Sequence, residues 1–244
     1  MTALLASVRT EEEAVRAVEA GADIIDLKEP RAGALGALPL PLIERIVGRV
    51  RALGEAPLSA TIGDLADGEI DLMVERVRRT AQTGVDFVKV GIMRGPHAAL
   101  ALQALAGLPV RVVPLFLADA GLDLDLIGAA YSAGFPMVMV DTADKSAGSL
   151  FDCTPFATLQ RFVALAEQAQ ARAGLAGSLR IDDLPNLTRL APAIAGFRGA
   201  LCDGERTGAL VAEKVRTVRA MLPPLRGDDL GIRQEPARFA AAAG

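Results

Sequence analysis

Short apolar runs alternate with amphipathic stretches along nearly the whole chain. The runs span Ala3–Val8, Asp23–Lys28, Leu58–Gly63, Asp86–Gly91, Arg111–Leu117, Met137–Asp141, Gly174–Leu179 and Gly196–Leu201, and each reads as a strand. Between them, Glu11–Ala20, Leu40–Leu53, Glu69–Thr83, Pro96–Ala106, Asp123–Ala133, Thr154–Ala173, Asp182–Leu190 and Gly208–Met221 carry helical patterns. Local punctuation agrees. Thr10 ahead of Glu11–Glu13 is a cap with an acidic first turn, Pro96 suits a first-turn position, and Gly84, Gly134 and Gly174 end helices. Eight strand–helix units predict an α/β fold, a (β/α)8 TIM barrel. An open doubly wound sheet competes, but no GxGxxG opens the first unit and eight regular repeats fit closure better. The expected layout is one barrel domain over residues 1–221. Pro223, Pro224, Gly227, Gly231, Pro236 and the final AAAG then make 222–244 a loosely structured tail.

In such a barrel the chemistry sits at the C-terminal ends of the strands. The stretch DIIDLKEPRAGALG (Asp23–Gly36) puts Asp26 and Lys28 on one face of a strand end, ahead of a Pro/Gly-rich loop. Taken alone, an Asp-x-Lys there reads first as a surface ion pair. In DFVKVGIM, Phe87, Lys89 and Gly91 share the face opposite Val88 and Val90, so Lys89 is expected to point into the barrel mouth. A lysine buried there has its pKa lowered and becomes a base or nucleophile. In MVMVDTADKSAGSLFD, Asp141 closes the strand and Lys145 follows in the loop.

Composition sharpens this. Of 26 basic residues only Lys28, Lys89, Lys145 and Lys214 are lysine. Arginine replaces lysine wherever any cation serves, but it cannot supply a neutral amine. Three of the four lysines fall at the ends of strands 2, 4 and 6, facing one cavity, while Lys214 reads as a surface residue on the last helix.

Barrels often hold phosphate in the loops after strands 7 and 8. Gly177, Ser178, Gly199 and the Cys202–Arg206 loop offer backbone N–H groups there, with Arg198 as charge partner and the next helix N-terminus adding its dipole. Asp64 and Asp119 reach the same rim as acids or loop anchors. His97 reads as surface, Tyr131 as packing, and Cys153 and Cys202 as ordinary thiols.

A hydrophobic content of 51% supports a full core, and a net charge of −4 gives no footprint for nucleic acid. No apolar run has membrane-spanning length, and the N-terminus lacks signal-peptide features, so a cytoplasmic, soluble protein is expected. Two cysteines are too few for a disulfide framework or zinc site. No cofactor is expected. Carboxylates without histidine argue against a transition-metal centre and leave Mg²⁺ open. Barrel exteriors commonly associate, so a homo-oligomer is expected.

In order along the chain, GADIIDLKEPRAGALGA, SATIGD, DFVKVGI, MVDTADKSAGSLFD, LAGSLR and FRGALC resemble the (5-formylfuran-3-yl)methyl phosphate synthase family over about residues 3–206. The resemblance implies a (β/α)8 barrel that condenses two molecules of glyceraldehyde 3-phosphate into the furan aldehyde phosphate of methanofuran biosynthesis, losing phosphate and water. It implies Lys28 as the Schiff-base lysine and Lys89 as acid/base, with Asp26, Asp141 and Lys145 completing the polar centre. The loop FLADAGLD after strand 5 lacks the tyrosine associated with the family there. A class I aldolase or isomerase acting on another sugar phosphate, and a metabolite-binding barrel without activity, are the alternative readings.

Overall fold

A computed structural model describes residues 1–224. Strands β1 (Ala3–Val8), β2 (Ile24–Leu27), β3 (Leu58–Thr61), β4 (Phe87–Gly91), β5 (Val112–Leu117), β6 (Met137–Asp141), β7 (Arg172–Leu175) and β8 (Ile194–Phe197) pair in sequence order into a closed barrel. Closure comes from the parallel pairing of β1 with β8, from Ala3↔Ile194 to Ala6↔Phe197. The crossovers run through α1 (Glu11–Glu19), α2 (Leu40–Arg51), α3 (Ile70–Gln82), α4 (Ala98–Ala106), α5 (Leu124–Ser132), α6 (Leu150–Cys153), α7 (Phe156–Gln168), α8 (Leu184–Leu190) and α9 (Ala212–Met221). Thr10 caps α1 by accepting the Glu13 N–H, and Asp123 caps α5. No helix among the described residues is long and apolar enough to cross a membrane.

Strand alternation splits the core in two. Val88 and Val90 face the helices and join the large outer cluster, whereas Phe87 packs inside the barrel with Leu5, Ile24, Leu115, Met139 and Ile194. The loop after β2 folds back over this inner cluster and inserts Leu35, which is 2% exposed. Gly91 makes the room: a Cβ there would lie 2.2 Å from Leu35 Cδ1. Thr61 Oγ1 ties the loop down by donating to the Gly36 carbonyl at 2.9 Å.

The last third of the chain departs from the sequence reading. The long helix expected over Thr154–Ala173 ends at Gln168, and β7 begins at Arg172. Gly174 therefore ends no helix. It sits in β7 against Met139, whose Cγ would be 2.6 Å from an added Cβ. Strand β8 runs over Ile194–Phe197 rather than Gly196–Leu201, and Gly199–Leu201 forms a 3-10 turn. Small residues over 171–177 and 191–200 leave no clear period to read, so pairing with neighbouring strands decides the boundaries. The helix after β8 starts only at Ala212, so its N-terminus does not follow the phosphate loop directly. Leu222 is buried, and the Pro223 carbonyl accepts from Arg219, so the first residues of the predicted tail pack on the barrel. The remainder, 225–244, lies outside the described residues.

Candidate active site

Register builds the site in two layers above the apolar interior. Ser7 pairs with Asp26 and Asp26 with Ser59, so two hydroxyls flank one carboxylate. Asp26 is fully buried and accepts from Ser7 Oγ at 3.0 Å and Ser59 Oγ at 2.7 Å. From β4, Lys89 Nζ closes on Asp26 Oδ2 at 2.7 Å. The valines either side of Lys89 fill the helix interface, which leaves its side chain only the barrel interior.

The second carboxylate is Asp141, at the end of β6. Lys145 donates to Asp141 Oδ1 and to Thr142 Oγ1, while the Thr142 N–H donates to the carboxylate at 2.8 Å. Lys28 leaves β2 on the same side, with its Nζ 3.6 Å from Asp141 Oδ2. That separation is an ion pair but not a hydrogen bond. Of the three amines, Lys28 alone makes no side-chain hydrogen bond among the described residues. All three line a cavity of about 550 Å³.

Burial would raise the Asp141 pKa, but the Lys28 and Lys145 ammoniums, the Lys145 hydrogen bond and the Thr142 N–H outweigh it and lower it to about 2. Lys89 shifts the other way. Burial lowers its pKa, Asp26 opposes the shift, and the Lys28 charge reinforces it. Lys145 is also lowered, first by burial, with Asp141 opposing. The arrangement holds the Asp141 carboxylate ionised at neutral pH in the same cavity as two amines, Lys89 and Lys145, whose pKa values are lowered by burial. A group with a depressed folded-state pKa stabilises the fold above its unfolded pKa, and that stabilisation is lost as pH falls through the folded value. Between about pH 4 and about pH 2, Asp141 is therefore expected to withdraw about 2 kcal/mol of stability. Denaturant melts across that range should show the decline in the native protein and a flatter profile in Asp141→Asn; equal profiles would refute it.

Two loops close the other side of the cavity. Gly177 is buried at φ +116°, where a Cβ would lie 2.9 Å from Thr142 Cγ2, and Ser178 follows at φ +46°. Among the described residues, the N–H groups of Gly177, Ser178 and Gly199 donate to no protein acceptor. Cys202 lies behind them: its N–H donates to the Gly199 carbonyl, and burial pushes its thiol pKa up.

Arg198 differs from its expected place. Its guanidinium donates to both Glu13 carboxylate oxygens and to the carbonyls of Ser7, Arg206 and Gly208. Those bonds use all five N–H groups, so none is left for a phosphate.

The sequence model of the 4-HFC-P synthase family matches residues 4–219. The chain belongs to this family.

A Methylorubrum extorquens protein, named provisionally as (5-formylfuran-3-yl)methyl phosphate synthase, is 40% identical over 222 residues, covering 89% of this chain and 92% of its own. The (5-formylfuran-3-yl)methyl phosphate synthase of Methanosarcina barkeri is 34% identical over 233 residues, covering 89% and 97%. Among solved structures, phosphoribosyl anthranilate isomerase from Thermus thermophilus superimposes with a TM-score of 0.62 at 15% identity, covering 91% of this chain and 98% of its own. 3-Hexulose-6-phosphate synthase does so with 0.57 at 17% identity, covering 89% and 99%. At these identities the structures share the barrel fold.

In this 4-HFC-P synthase family chain, the barrel brings Lys28, Lys89, Asp26, Asp141 and Lys145 together. Other rim residues stay apart from them. Exposed Asp119 accepts the Ala143 and Asp144 N–H groups and anchors the β6 loop, Asp64 is exposed beside Gly33, and His97 bonds Asp67 on the surface. Lys214 is half-buried rather than a surface residue, donating to the Cys202 carbonyl. The residues missed in the sequence were Ser7 and Ser59, and the Cys202–Arg206 loop was read for its backbone N–H groups without a role for the Arg206 side chain. The two serines sit in the expected strands, Ser59 at the start of SATIGD, but neither was given a role. Arg206, which lines the cavity, is one arginine among 22.

Proposed function

We propose that this protein condenses two molecules of glyceraldehyde 3-phosphate into (5-formylfuran-3-yl)methyl phosphate through an imine on Lys28, for methanofuran biosynthesis. Family membership supports the product, and the chemistry of the amine cluster supports the route. Lys28 attacks a carbonyl, and loss of water gives an iminium that acidifies the neighbouring C–H. Lys89, buried against Asp26, takes and returns protons during isomerisation, aldol addition and elimination, a contribution of typically ~10²–10⁴-fold. Asp26 is the positioning residue beneath it, fixed by Ser7 and Ser59. Asp141 and Lys145 hold charge beside the imine and assist departure of phosphate and water. The N–H groups of Gly177, Ser178 and Gly199 receive a substrate phosphate.

One observation carries the assignment of roles. Among the described residues, Lys28 is the cavity amine whose side chain has no hydrogen bond to break before it reacts, whereas Lys89 and Lys145 are each committed to a carboxylate. Incubation with glyceraldehyde 3-phosphate and borohydride is expected to add one reduced adduct, mapped to the peptide containing Lys28, with a furan chromophore formed when the reductant is omitted. An adduct on Lys89 would exchange the two roles. An adduct without furan absorbance would indicate an aldolase that stops at the aldol product, and no adduct would refute the imine.

A further inference from the structure

We infer that Arg206 is the cation that recognises the phosphate of the aldehyde held at Lys28, and that the buried Arg198–Glu13 pair is the clamp that positions it. The inference rests on reading the cavity as a site for a phosphorylated aldehyde.

Arg206 lies on the loop between Cys202 and Leu210, which those two residues close as an antiparallel bridge. Asp203, Gly204 and Glu205 are exposed, yet Arg206 turns back, half-buried, into the cavity wall. Its guanidinium makes no hydrogen bond or ion pair among the described residues. The neighbouring cavity arginines are committed elsewhere, Arg198 to Glu13 and Arg180 to Asp152. A partly desolvated guanidinium without an acceptor is costly, and the cost is relieved by an anion entering the cavity. The backbone donors are adjacent: a Cβ on Gly199 would lie 3.9 Å from the Arg206 Cβ. Arg206 also shares the field of the amine cluster. Burial lowers its pKa with Asp141 opposing, and its charge in turn helps lower Lys145.

Position is set from across the barrel seam. Arg198 Nε donates to the Arg206 carbonyl at 2.8 Å and its Nη2 to the Gly208 carbonyl at 2.8 Å, while Glu13 from α1 neutralises the guanidinium. Arg198 thus acts through Arg206, as a positioning residue.

The test compares wild type, Arg206→Met and Arg206→Lys by borohydride trapping over a range of concentrations. Glyceraldehyde 3-phosphate and unphosphorylated glyceraldehyde are used in parallel, and binding of inorganic phosphate is measured by calorimetry. Arg206→Met is expected to need about ten- to a hundredfold more of the phosphorylated aldehyde for half-trapping, with an unchanged requirement for glyceraldehyde, and to lose phosphate binding. Arg206→Lys should fall between, since it keeps charge without the planar fork. Unchanged trapping of the phosphorylated aldehyde and unchanged phosphate binding in Arg206→Met would overturn the inference. Failure of wild type to trap either aldehyde would overturn the imine reading instead, and calorimetry would still decide the role of Arg206.

Discussion

Lys28→Arg is expected to abolish furan formation and borohydride trapping while leaving the melting transition close to wild type. Arginine keeps the positive charge 3.6 Å from Asp141 and most of the side-chain volume, so the buried ionic layer stays neutralised. It cannot form an imine, because the guanidinium stays protonated and its nitrogens are not nucleophilic. Removing a covalent nucleophile in this way costs on the order of 10⁴-fold or more in turnover. Stopped assays of furan absorbance, with denaturant melts as the control for folding, measure both halves. Activity within tenfold of wild type would end the Schiff-base assignment and favour a carboxylate base acting without a covalent intermediate. The comparison is clean because, among the described residues, Lys28 makes no side-chain hydrogen bond that an arginine would have to replace.

The largest loss of stability is expected not at the amine cluster but at Glu13. Its carboxylate is 4% exposed and takes two hydrogen bonds from Arg198, besides the N–H groups of Arg9 and Leu210. Glu13→Ala leaves Arg198 buried without a counter-charge, and arginine cannot escape by losing its proton. Breaking one partner of such a pair costs roughly 3–5 kcal/mol. Lys145 beside Asp141 has that escape, since a lysine can give up its proton and burial already lowers its pKa. Urea unfolding should therefore show Glu13→Ala far below wild type, and Glu13→Ala combined with Arg198→Met partly restored. A single variant within about 1 kcal/mol of wild type would show that the pair contributes little, as many exposed pairs do.

Much of the site was legible in the sequence for a local reason. In DFVKVG the side chain alternates with valine, so Lys89 had to face inward once the strand was buried on both sides. Lys28 and Asp141 followed from their places at strand ends, and the scarcity of lysine drew attention to all three amines. Arg198 was misjudged because its partner is Glu13, separated by 185 residues and brought near only by β1 pairing with β8. The Arg206 side chain was missed for the same reason in reverse, although its loop was named: nothing local separates an arginine that turns inward from those on the surface.

By itself, then, the sequence determined the number and order of strands, the side of each strand on which its polar residue falls, and the end of the barrel where chemistry gathers. Those depend on period and punctuation, which short-range sterics enforce. Only the tertiary structure decided which carboxylate takes which amine, where β7 and β8 begin, which arginine is used up by the fold and which is left facing the cavity. Those are pairings between distant segments. They depend on closure and register of the barrel, and a chain with several arginines and carboxylates near its rim carries no local signal of which will meet.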